Sequence, residues 1–269
     1  MAQPATAKRK FRFQLRPHIV IASLLLLIPI GAGAYCFTPQ YSYFTAMGEI
    51  VPVQEIGVDG SVNFTYVTEG LTTNFYERWT TAMSYPDAEF EKADSSYEDY
   101  LAMEMEAGEE LRNETIFHAV ISADELTEGS LEEESSSTID DDQRLASLIE
   151  EAAEYYGDSL GLMLGIGLVE EAKNVDYSRG GKYLIAGTGT LEEDHHVGSV
   201  GAIRNKLRTA EKFGTDYFFV PKDKDTFEYE GISNEEEASQ VAQELNLELK
   251  VIPVASLEEA IIYLEQLNT

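Results

Sequence analysis

Hydrophobic positions along this chain first run without a break, then alternate, and finally fall into helical spacing. Ile19 to Phe37 (IVIASLLLLIPIGAGAYCF) is nineteen residues without a charge. A helix of that length crosses a hydrocarbon core of about 30 Å. Residues 50–67 (IVPVQEIGVDGSVNFTYV) alternate and contain Asp59-Gly60, which predicts a β-hairpin. Residues 86–112 interleave acids with Phe90, Tyr97, Tyr100, Leu101 and Met103, the pattern of an exposed amphipathic helix. Residues 123–142 (ADELTEGSLEEESSSTIDDD) have no period and read as a solvated acidic linker.

From Gln143 the pattern is regular. Helices are predicted over Arg144–Tyr156, Leu160–Glu171, Val200–Phe213, Glu235–Leu245 and Ser256–Leu267, with Ser256 and Glu259 forming a capping box. Strands are predicted at Tyr183–Ala186, Asp216–Val220 and Leu249–Val254. Strands alternating with helices argue for an α/β or α+β domain over residues 143–269. The expected organisation is a basic tail (1–17), an anchor (18–37), a membrane-proximal region (38–122), the acidic linker (123–142) and that domain.

Charge sharpens this division. The formal net charge is −30, yet residues 1–37 hold Lys8, Arg9, Lys10, Arg12 and Arg16 and no acid. Basic residues on the N-terminal side keep that end cytoplasmic, which puts the acidic bulk outside the cell on a single-pass anchor. Ala32-Gly33-Ala34 has the look of a signal-peptide cleavage site, but the apolar run is long for one and favours an uncleaved anchor. An acidic surface repels nucleic acid, so that partner class is not expected. One cysteine, Cys36, excludes a disulfide framework and a cysteine-rich metal site. His195-His196 reads as a hairpin tip and not as a metal site, since adjacent side chains at a turn rarely converge.

The candidate chemistry centres on Ser159, in YYGDSLGLMLGIGLVEE. Three readings compete: a plain helix cap, a GDSL-type esterase nucleophile, or a nucleophile of another kind. The esterase reading needs a histidine near the C-terminus, and none follows His196. A serine without histidine can use a lysine kept neutral by burial. Lys206, in GSVGAIRNKLRTAEKFG, lies beside the apolar stripe Ile203, Leu207 and Ala210, and Leu160, Leu162, Met163 and Ile203 are material for an apolar wall. A serine just before a helix would also aim the Leu160 and Gly161 amides at a developing oxyanion.

IAGTGTLEEDHHVGSVGAIRNKLRTAEKFGTDYFFVPKD resembles the core of the Lon-type serine protease domain, closest to its membrane-anchored, ATP-independent Gram-positive branch. The family's Gly-x-Ser-x-Gly-Leu-Met segment becomes Gly157-Asp158-Ser159-Leu160-Gly161-Leu162-Met163 here. Its Thr-Gly-[Thr/Glu] strand end becomes Thr188-Gly189-Thr190, and its Gly-Gly-x-x-x-Lys helix becomes Gly201 to Lys206. The resemblance covers about residues 155–269, and the segment GSVNFTYVTEGLTTNFYERW also resembles the membrane-proximal part of that branch. It implies a Lon proteolytic-domain-like α+β fold in which Ser159 is nucleophile, Lys206 general base and Thr188 the lysine's orienting partner. It further implies an endopeptidase acting on short or unfolded peptides without metal, nucleotide or other cofactor, with a homo-oligomer left open. Four departures stand out: Asp158 where the family has an uncharged residue, Ala202 where it has glycine, a helix-like Leu145–Tyr156 where the family brings a strand into the nucleophile segment, and no room for a PDZ module in residues 116–142. They leave a catalytically inactive envelope protein acting as a binding module as the alternative.

Overall fold

The computed structural model describes residues 16–128, 138–227 and 231–267. The first element, α1 (Pro17–Cys36), buries none of its residues, and among the described residues it is the one helix long and apolar enough to cross a membrane. Lys8, Arg9, Lys10 and Arg12 of the basic tail lie outside the described residues.

The body is α+β, with one mixed six-stranded sheet. Its strands are β1 (Pro39–Pro52), β2 (Asn63–Asn74), β3 (Glu89–Lys92), β4 (Ile185–Gly187), β5 (Tyr217–Pro221) and β6 (Lys250–Val254), in the order β3-β1-β2-β4-β5-β6. β1 pairs antiparallel with β2 and β3, whereas β2, β4, β5 and β6 run parallel. The helices are α2 (Phe75–Ser84), α3 (Tyr97–Glu128), α4 (Thr138–Glu151), α5 (Gly161–Lys173), α6 (Ile203–Lys212), α7 (Asn234–Leu245) and α8 (Leu257–Leu267).

Alternation along the central strands sorts the core into two layers. Ile185 and Phe219 join Leu162, Ile166, Ile116 and Leu257 of α5, α3 and α8 on one face. Ala186, Phe218 and Val220 join Ile203, Leu207 and Val241 of α6 and α7 on the other. Helices thus cover both faces, as parallel strands require.

The predicted hairpin exists but is longer than residues 50–67, pairing Pro39 with Asn74 at one end and Pro52 with Asn63 at the other. Asp59-Gly60 lies in the connecting loop, not in a two-residue turn. The first half of β1 escapes a hydropathy reading because Phe44 is the one large apolar residue among its inward positions, beside Ser42, Ala46 and Gly48, while Tyr41 and Tyr43 face the other way.

Residues 86–112 divide into β3 and the start of α3. That helix continues to Glu128 and buries Ile116, Ala119 and Ala123, so the first part of the expected linker belongs to it. The last part, from Thr138, opens α4, and residues 129–137 lie outside the described residues. α4 runs through residue 143. β2 bonds to β4, and Val51, Phe64 and Ile116 share a core with Leu162 and Phe219. The helix predicted to Tyr156 stops at Glu151, a short 3-10 turn follows, and Tyr155 is extended. The Glu192 amide donates to the His196 carbonyl (2.9 Å) and the Thr190 amide to the Gly198 carbonyl (3.3 Å), so the 3-10 turn Glu193–His195 sits at the tip of a narrow loop, and His196 also bridges Ser256.

Candidate active site

The segment carrying Ser159 is held from several sides. Arg112 on α3 donates to the carbonyls of Tyr155 (2.8 Å) and Ala153 (3.4 Å), anchoring the chain just before it. Gly157 turns with φ +83°. Leu160, not Ser159, occupies the cap position of α5, and no side chain caps that helix. The plain-cap reading of Ser159 is therefore not what the structure contains. α5 itself is buried from Gly161 to Glu170, and Leu160, Leu162 and Met163 are buried as expected.

The carboxyl end of β4 supplies the second part. Thr188, fully buried, follows the last residue of that strand and donates its amide to the Phe219 carbonyl (3.0 Å). The Gly189 amide donates to the Ser159 carbonyl (3.0 Å), and the Leu162 amide donates to the Gly189 carbonyl (3.0 Å). The Thr188 hydroxyl also reaches the Ser159 carbonyl (3.3 Å). These bonds fasten the serine segment to the strand end, on the rim where ligands commonly sit in sheets covered by helices on both sides.

Lys206 is the third part. It lies in the first turn of α6, only 4% exposed, and its Nζ donates to Thr188 Oγ1 at 3.0 Å. One hydroxyl thus accepts from the lysine and donates to the serine backbone. Burial pulls the Lys206 ammonium down to about 8, against partial opposition from the charges of Asp158 and Glu69. Asp158 is itself pushed above the usual carboxylate range by burial, although Lys206 works in the other direction.

The approach to α6 is strained. Ala202, immediately before the helix, has φ +58° and ψ +34°, a left-handed conformation that suits glycine. Asn234 enforces it by accepting from the Val200 amide (2.7 Å) and donating to its carbonyl (2.9 Å). Ala202→Gly is expected to stabilise the protein by about 1 kcal/mol, measurable by chemical denaturation, because the Cβ clash of that conformation disappears.

The oxyanion expectation needs one correction. The Gly161 amide already donates to the Asp158 carbonyl at 3.1 Å, closing a tight turn around Ser159. Leu160 supplies the remaining amide, which has no hydrogen bond of its own among the described residues.

A cavity of about 420 Å³ opens beside this segment, with Leu111, Glu114, Thr115, His118, Thr190 and Glu192 on its walls. Asp158 lines it, whereas Ser159 and Lys206 do not. His195 lies 3.1 Å from Glu125 and 3.9 Å from Glu258, and among the described residues no cluster of histidine, cysteine or acids suits a metal ion.

Sequence reasoning missed Arg112, Thr115 and Glu69. Each acts across more than forty positions of chain, and no local motif marks them.

Comparison with known protein families and with curated proteins yields no match for this chain.

Proposed function

We propose that this chain is a membrane-anchored, ATP-independent serine endopeptidase of the Lon-like type, with Ser159 as nucleophile and Lys206 as general base. One observation carries the reading: a buried lysine of depressed basicity shares the Thr188 hydroxyl with the backbone of Ser159. Burial of the lysine's charge is costly, and among the described residues no carboxylate is bonded to Lys206.

In the proposed reaction Ser159 Oγ attacks the peptide carbonyl carbon while neutral Lys206 takes the hydroxyl proton. The Leu160 amide donates to the oxyanion. Collapse of the tetrahedral intermediate breaks the C–N bond, and Lys206 returns its proton to the leaving amine. Water then attacks the acyl-enzyme by the same route and releases the carboxylic acid and Ser159. Substrates are short or unfolded peptides outside the cell, with α1 as anchor and the N-terminus cytoplasmic.

A second reading, an inactive binding module, draws on the occupied Gly161 amide and on Asp158, whose charge favours protonated Lys206. The deciding assay follows an unfolded fluorogenic protein incubated with full-length enzyme in nanodiscs. Ser159→Ala is expected to lower turnover by about a thousandfold or more. Equal turnover in wild type and Ser159→Ala removes the nucleophile from the mechanism, and a wild type without turnover favours the binding module.

A further inference from the structure

α2 is inside out relative to an ordinary surface helix. Its two charged residues, Glu77 and Arg78, are tied down, the first to the helix's own cap and the second to β1 and β3. Glu77 accepts from the Thr73 amide (2.7 Å) and hydroxyl (2.8 Å) and from Asn74 (2.8 Å). Arg78 donates to Ser42 Oγ (3.1 Å) and lies 4.8 Å from the centre of the Phe90 ring. Its large apolar residues turn outward. Phe75, Trp79 and Met83 recur at i, i+4 and i+8, with Tyr76 beside them, and Trp79 and Met83 are 52% and 64% exposed. In water such a stripe would normally be covered.

The surroundings identify the cover. β1 begins three residues after the last residue of α1, and its first residue, Pro39, pairs with Asn74, which caps α2. The apolar stripe is therefore continuous with the end of the spanning helix. Tyr35 and Phe37 at that end contact Phe75 and Tyr76, with ring centres 5.8 and 5.7 Å apart. Tyrosine and tryptophan collect where hydrocarbon meets headgroups, because their rings are apolar and their tips polar.

We propose that α2 is an interfacial helix, lying in the plane of the bilayer at the point where α1 leaves it, with Phe75, Tyr76, Trp79 and Met83 in the headgroup–acyl boundary. A helix in that position enters lipid by about 5–10 Å. The anchor and α2 together then fix the tilt of the body, which a single flexible tether would leave free. The strongly acidic body argues against attraction to anionic headgroups, so the contact is apolar and independent of lipid charge.

Trp79 is the only tryptophan in the chain, which makes the test direct. Full-length protein is reconstituted into phosphatidylcholine vesicles, with and without bromine carried high on the acyl chains, and its flotation with lipid is checked. Trp79 emission is expected to be blue-shifted, to lose most of its intensity to brominated lipid, and to resist aqueous iodide. Moving the tryptophan to Met83 in a Trp79→Phe background is expected to reproduce the lipid quenching. Flotation with emission open to iodide and untouched by bromine overturns the inference while leaving the anchor intact. Shielding from iodide without bromine quenching overturns it too, and points to a second copy of the chain on this face. Failure to float overturns both the anchor and the inference.

Discussion

Replacing Lys206 by methionine is expected to abolish peptide hydrolysis and, at neutral pH, to make the fold more stable. The two effects share one cause. The unfolded chain titrates this lysine near the ordinary 10.5, the folded chain near 8. Between those values the unfolded state holds a proton that the folded state lacks, so stability rises with pH across the window. Below it the cost of the buried charge is fully present, about 3 kcal/mol. Methionine has nearly the same length and no charge, so Lys206→Met gains about that amount at pH 7, and the gain fades as pH passes from 8 towards 10.5. Paired denaturation curves across this range measure it.

Activity should follow the same proton in the opposite sense. Wild-type turnover is expected to rise with pH through about 8, as Lys206 becomes neutral and able to act as a base. Asp158 favours the charged lysine, so Asp158→Asn is expected to move the profile to lower pH. A Lys206→Met protein that still cleaves substrate, or a profile that stays in place in Asp158→Asn, would sink the dyad.

Gly161→Ala is expected to lose about 3 kcal/mol of stability, seen as a large drop in Tm. A Cβ at this position meets Thr115 Oγ1 within overlap distance and the Leu191 amide nitrogen at 2.6 Å. Those two atoms are bonded to each other at 2.7 Å, so the methyl group breaks a buried hydrogen bond as well as crowding backbone. Gly157→Ala is the control: its side-chain space is open, and only its φ of +83° is penalised, by about 1 kcal/mol. Equal losses at the two glycines would show that α5 does not pack against the Thr190–Leu191 segment as described.

Much of the second half of the chain was legible in advance. Apolar spacing located α5, α6, α7, α8 and their strands to within a few residues, because each buries a continuous face against the sheet. Lys206 could be picked out because it stands beside the Ile203–Leu207–Ala210 stripe, whereas its bond to Thr188 is implied by the family resemblance alone. The first half was harder. β1 places Tyr41 and Tyr43 on one side and, apart from Phe44, small residues on the other over its first half, which hides its inward face from hydropathy. α3 carries many acids and still buries Ile116 and Ala119.

Taken alone, the sequence determined an apolar span at the N-terminus, an acidic body, and a serine and a lysine each placed at a glycine-bounded helix start. Those features depend on composition and on contacts within one or two turns of chain. The tertiary structure decided the rest: that the hairpin belongs to the same sheet as the later strands, that Thr188 joins Lys206 to Ser159, and that the Gly161 amide is already taken. It also decided that α2 turns its aromatic residues outward. Each of these is a pairing between distant segments, whose hydrogen bonds and burial exist only after the chain has closed on itself.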